Sequence, residues 1–131
     1  SVSTELKELG AKRVIPLKTS GPFHTKALEE ASKEFYKDLQ KVEFKAGNGV
    51  SVIKNLDGSI YKEGDNFAEI LSKHIISPVR FDKALSIFKN ENVDTFIEIG
   101  PGKSMTGFIN KEKLEGTSNS IQKVEDLEKL K

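Results

Sequence analysis

Short runs rich in β-branched residues alternate along this chain with longer stretches of helical period, and that alternation is the strongest limit on its fold. Residues 13–17, 50–53 and 95–99 read as strands, and 118–121 as a weaker fourth. Between them, Leu28, Ala31, Phe35, Leu39 and Val42 recur at helical spacing over residues 25–42 and make one apolar face. Glu29, Glu30, Lys33, Lys37 and Asp38 fall on the opposite face. Residues 3–9 read as the end of a helix closed by Gly10. Asn66, with Glu69 three positions on, has the pattern of a capping box for a helix ending near His74. Ser77-Pro78 reads as the cap and first turn of the next helix, whose apolar face is Phe81, Ala84, Leu85 and Phe88. Helices are also predicted from Ser104 to Ile109 and over residues 124–131. Gly47-Asn48-Gly49 and Asp57-Gly58 mark turns. Strands separated by helices imply an α/β fold, a parallel sheet of about four short strands flanked by helices.

In such a sheet, ligands bind beyond the carboxyl ends of the strands. Two turns follow predicted strands. Ser20-Gly21-Pro22-Phe23-His24 comes after the first, and Gly100-Pro101-Gly102-Lys103-Ser104 after the third. They should share one edge of the sheet. The first turn presents an imidazole, the side chain whose unperturbed pKa permits proton exchange near neutral pH. Pro22 sets one backbone angle and Gly21 allows unusual ones, so the turn can fix where the ring points. A lone histidine is not a motif, and an ordinary loop histidine is the plainer reading of the turn by itself.

Composition narrows the function classes. At 131 residues the chain is one domain's worth, with 36% hydrophobic residues. A formal net charge of +1, with lysines spread among Asp and Glu, argues against a nucleic-acid surface. There is no cysteine, hence no thiol nucleophile, disulfide framework or thiolate metal site, which is compatible with the cytoplasm. Two histidines fifty positions apart, His24 and His74, make no recognisable metal-ligand set. No run is long and apolar enough to cross a bilayer, and residues 1–7 lack the apolar core of a signal peptide.

Three segments in order are more specific than any one turn: Ser20-Gly21-Pro22-Phe23-His24, then Ser77-Pro78-Val79-Arg80-Phe81, then Glu98-Ile99-Gly100-Pro101-Gly102-Lys103. Together they resemble the C-terminal part of the malonyl-CoA:acyl carrier protein transacylases of fatty acid synthesis. The likeness runs from about Gly10 to about Gln122, and Phe81 stands where that family usually has tryptophan. The resemblance implies that residues 1–131 are a single partial domain of a larger acyltransferase core of α/β-hydrolase-like type. It implies a serine nucleophile in a G-x-S-x-G elbow, acylated by malonyl-CoA and then deacylated by the pantetheine thiol of acyl carrier protein. His24 would be the general base and acid. The backbone carbonyl of His74, four positions before Pro78 where the family often has glutamine, would orient His24. Gly100, Pro101 and Gly102 would form the active-site turn, and Asn55 is a substrate-side candidate. No cofactor and no metal are implied.

No G-x-S-x-G occurs in these residues; Gly102-Lys103-Ser104 lacks the spacing. Arg13 and Arg80 do not match the arginine that binds malonate in the family. The isolated chain is therefore expected to be inactive, and to find a partner for its open sheet edge, either the missing N-terminal part or a second copy. Two other readings stand beside this one. The chain is a non-catalytic interaction module or half-protein, in which His24 is dispensable. Or Gly100–Ser104 is a phosphate-binding loop, although the full pattern needs glycine where Ile97 stands.

Overall fold

The computed structural model describes residues 1–16, 18–45 and 49–130. Its elements follow the order α1 (Val2–Glu8), a 3₁₀ turn (Lys26–Leu28), α2 (Glu29–Leu39), α3 (Phe67–His74), α4 (Phe81–Asn90), β1 (Thr95–Ile99), α5 (Ser104–Lys111), β2 (Thr117–Ile121) and a 3₁₀ segment (Val124–Leu130). Strands β1 and β2 pair in parallel, from Thr95 opposite Thr117 to Ile99 opposite Ile121, with α5 as the crossover. The α/β class and the parallel pairing are as the alternation predicts.

The number of strands is not. The sheet has two strands among the described residues rather than about four. Residues 13–16 run without a ladder partner, and Leu17 lies outside the described residues. Ile53 makes one antiparallel bridge, to Ile60, in a hairpin where Lys54 N–H donates to the Ser59 carbonyl and Tyr61 N–H to that of Val52. A β-prone run becomes a strand only when a neighbour accepts and returns its backbone hydrogen bonds. Of the expected turns, Gly47 and Asn48 lie outside the described residues, whereas Asp57-Gly58 forms, with Asp57 accepting the Ser59 N–H at 2.8 Å.

Local signals place the helices well. After α1, Gly10 takes φ 94°. Its N–H donates to Lys7 and that of Ala11 to Leu6, the Schellman pattern that a left-handed glycine permits. Asn66 caps α3, its Oδ1 accepting the Glu69 N–H at 3.1 Å. Helix α4 is the exception. It begins at Phe81, not at Ser77-Pro78, and its N-cap Arg80 makes no side-chain cap bond. Arg80 N–H donates instead to the Asn55 carbonyl at 2.8 Å. The Ser77 carbonyl faces His24, as described below. Two tertiary bonds thus hold residues 77–80 outside the helix, in keeping with the extended backbone favoured before proline.

Packing falls into two layers. Ser32, Leu39, Ala68 and Ser72 are buried where α2 meets α3, and the Ser32 hydroxyl donates to the Ser72 carbonyl at 2.6 Å. Small residues there let the helices approach. In the second layer Phe88 meets Phe96 edge-on at 5.6 Å and Phe81 meets Phe108 at 6.0 Å. Ala84, Phe96, Ile109 and Ile121 are buried around them. The outer face of β1 is bare: Ile99 is 82% exposed and Ile97 45%.

Candidate active site

His24 sits at the end of the glycine-proline turn in the left-handed backbone region, with φ 63°. A non-glycine residue there carries a cost of about 1–3 kcal/mol and persists only where its surroundings over-determine it. Here they do. The His24 N–H donates to the Ile75 carbonyl at 2.8 Å. The Thr25 hydroxyl closes the turn on the Pro22 carbonyl at 2.7 Å and accepts the Ala27 N–H at 3.3 Å. The backbone is pinned to the end of α3 on one side and to the start of the 3₁₀ turn on the other.

The ring is pinned as well. His24 Nδ1–H donates to the His74 carbonyl at 3.0 Å and to the Ser77 carbonyl at 3.1 Å. Carbonyls only accept, so a neutral ring in this setting carries its proton on Nδ1. The lone pair is then on Nε2. No described residue hydrogen-bonds Nε2, and the side chain is exposed. The geometry presents a proton acceptor of fixed direction. The two rings also touch: the His24 and His74 centroids lie 4.8 Å apart at 39°. Burial first, then the charge His24 can carry, hold the His74 imidazole below the ordinary histidine range.

Asn55 belongs to the same neighbourhood through its backbone, since its carbonyl holds Arg80 N–H three residues beyond Ser77. Its side chain is exposed and makes no hydrogen bond to a described residue. Arg80 is engaged by Asp82, with bonds of 3.0 and 2.8 Å, and this pairing holds the Asp82 carboxyl down to about 2. The Gly100–Gly102 turn follows β1, with Gly100 at φ 140° and Gly102 at φ 98°. Gly100 N–H donates to Ile121, Gly102 N–H to Gln122 Oε1, and the Ser120 hydroxyl to the Gly102 carbonyl at 2.9 Å. No hydrogen bond or ring contact among the described residues joins this turn to His24.

The start of α5 answers the phosphate-loop reading. Glu98 receives the Met105 N–H at 3.1 Å, the Thr106 N–H at 2.8 Å and the Thr106 hydroxyl at 2.7 Å. Those bonds, the Thr106 N–H foremost, hold its carboxyl below the usual range. A carboxylate already fills the place an anion would take at this helix N-terminus. Sequence patterns do not mark Glu98 as a cap, nor the Ile75 and Ser77 carbonyls as anchors. The Ser77-Pro78 pair is a usable signal for the last, because a residue before proline is biased away from helix. Among the described residues no group of His, Asp and Glu could hold a metal ion.

Comparison with known proteins gives the chain its relatives. No protein-family model matches the chain. The malonyl CoA-acyl carrier protein transacylase of Bacillus subtilis is 40% identical over 105 residues, which are 80% of this chain and 33% of that protein. Its counterpart in Staphylococcus aureus is 34% identical over 121 residues, 92% of this chain and 39% of that protein. The crystal structure of malonyl CoA-acyl carrier protein transacylase from Clostridium perfringens superposes on 98% of this chain with a TM-score of 0.86 at 36% identity, using 40% of its own length. The chain thus spans about a third to two fifths of the length of the proteins it matches. In sequence and in fold, it is related to part of the malonyl CoA-acyl carrier protein transacylases.

Proposed function

We propose that this chain supplies the proton-carrying histidine of an enzyme that moves a malonyl group from malonyl-CoA to the phosphopantetheine thiol of acyl carrier protein. One observation carries the reading: two carbonyls hold His24 Nδ1–H and leave Nε2 free. The names of the related proteins supply the substrates. A serine hydroxyl, provided by a part of a longer protein outside these residues, attacks the thioester carbonyl while Nε2 takes its proton. The C–S bond breaks, and the proton passes to the departing CoA sulfur. In the second half Nε2 takes the proton of the pantetheine thiol. The thiol attacks the serine ester, and the proton returns to the serine oxygen as the C–O bond breaks. The His74 carbonyl orients His24 throughout and stabilises the imidazolium, as an acceptor of Nδ1–H must. Asn55 and the Gly100–Gly102 turn line the substrate side. The chemistry needs no cofactor, and the reading places the enzyme in the cytoplasm.

On the same reading, these residues are the C-terminal portion of the catalytic domain. The segments 13–17 and 50–53 become strands of a larger α/β-hydrolase-like sheet, and the bare face at Ile97 and Ile99 is covered by the rest of that domain. Left alone, the chain covers this face by self-association. Sedimentation of the isolated chain should show a dimer or larger species, and a clean monomer counts against it. Isolated chain mixed with malonyl-CoA and acyl carrier protein should give no transfer. In the longer protein, His24→Ala should cut turnover roughly 10²–10⁴-fold. Transfer by the isolated chain that depends on His24, or full activity of the longer His24→Ala protein, would overturn the proposal.

A further inference from the structure

His74 meets His24 twice, once through its carbonyl and once through its ring. The carbonyl does not require a histidine. Yet the ring is there, with Nε2 buried and bonded to no described residue. A buried ring nitrogen without a partner is a cost to the fold, and such a group calls for an explanation. We propose that the imidazole of His74 is a positioning group, a flat uncharged wall that keeps the His24 ring from turning its Nδ1 edge away from the two carbonyls. This deepens the acyl-transfer reading and rests on His24 being its proton carrier.

The torsion that turns a histidine ring is broad and two-fold, so hydrogen bonds along one edge leave the ring free to rock or flip. The carbonyls of His74 and Ser77 hold the Nδ1 edge and nothing else. A second ring at 4.8 Å, tilted 39°, closes off one face of His24 and raises the cost of a flip. Such a wall has to stay neutral, because a cation there would repel the imidazolium that His24 forms on taking a proton.

The surroundings of His74 keep it neutral. Burial and the charge of His24 both disfavour its protonated form. On its own helix, Lys73 and Glu69 pair with each other at 2.5 Å. Across the groove to α2, Lys33 pairs with Glu29 and Glu30, and Lys37 with Glu34. After burial, it is the charge His24 gains on taking a proton that disfavours a second proton on His74.

Long-range proton–nitrogen correlation spectra of the histidine rings test this, because they read the tautomer of His24 directly. The unmodified chain should show the Nδ1–H form. His74→Ala and His74→Gln both keep the carbonyl and remove the ring. Each should lower the ratio of Nδ1–H to Nε2–H at His24 roughly fivefold, the equivalent of losing about one hydrogen bond's net worth. His74→Phe returns a flat ring without nitrogens and should keep the original ratio. An unchanged ratio in the Ala or Gln variant overturns the proposal, and so does a Phe variant that behaves like Ala. The backbone amide spectrum monitors the fold, and if His74→Ala does not fold, His74→Gln decides alone. None of this needs turnover, so failure of the acyl-transfer reading would show in the activity assay and not in the tautomer ratio.

Discussion

Gly58→Ala offers a sharp test of how the site is held. Gly58 has φ 76°, and a Cβ built on it would run into Cβ of Lys83 on α4. Its N–H closes the turn on the Lys54 carbonyl at 2.8 Å. Two penalties then add. A left-handed alanine costs about 1–2 kcal/mol. Forcing α4 and the turn apart costs about 1–3 kcal/mol more. The expected loss is thus about 2–5 kcal/mol, a large share of a stability of about 5–15 kcal/mol. Gly64→Ala isolates the first penalty, since Gly64 has φ 86° and open space where its Cβ would go. Urea unfolding followed by circular dichroism would read both. With a slope of about 1–3 kcal/mol per molar, Gly58→Ala should lower the midpoint by about 1 M or more. Gly64→Ala should lower it by about half as much. The two variants losing the same amount would refute the claimed contact between this turn and α4. The contact matters for the site because Asn55, three residues before Gly58, holds Arg80 N–H, and Arg80 leads back to the Ser77 carbonyl on His24.

Two further predictions concern the elements that carry the site. Asn66→Ala removes the cap of α3, whose last residue is His74. It should cost about 0.5–2 kcal/mol in urea unfolding, and Asn66→Asp should recover most of it. Glu98 has a carboxyl held below the usual value of 4.5 by bonds from the start of α5. A depressed folded pKa means that its contribution is full above that value and is lost as pH falls through the depressed one. Urea midpoints measured from pH 7 to pH 3 should therefore fall less steeply in Glu98→Gln than in the unmodified chain. Equal slopes would remove Glu98 as the α5 cap.

Features set by neighbours in sequence are legible in the order of residues alone. The Gly10 stop of α1, the Asn66 cap of α3 and strand β1 each depend on backbone and side-chain groups within a few positions of one another. The apolar face expected on α2 is covered only in part: Leu39 is buried, Ala31, Phe35 and Val42 stay exposed, and Ser32 turns inward against α3 instead. The prominence of His24 is legible too, through the order of three short motifs. What local signals cannot contain is partnership across the chain. Residues 13–16 look like a strand but meet no ladder partner, so they form none. Ser77-Pro78 looks like a helix start, yet the Ser77 carbonyl and Arg80 N–H are claimed by His24 and Asn55, and α4 waits until Phe81. Glu98 reads as a strand residue and acts as a helix cap, because the turn through Gly100 and Gly102 folds α5 back over it. Residue types and their short-range spacing therefore settle where most of the helices run. The aim of the His24 ring is a matter of long-range contact. Its three backbone anchors, the carbonyls of His74, Ile75 and Ser77, lie some fifty residues away and reach it through hydrogen bonds that no local pattern encodes.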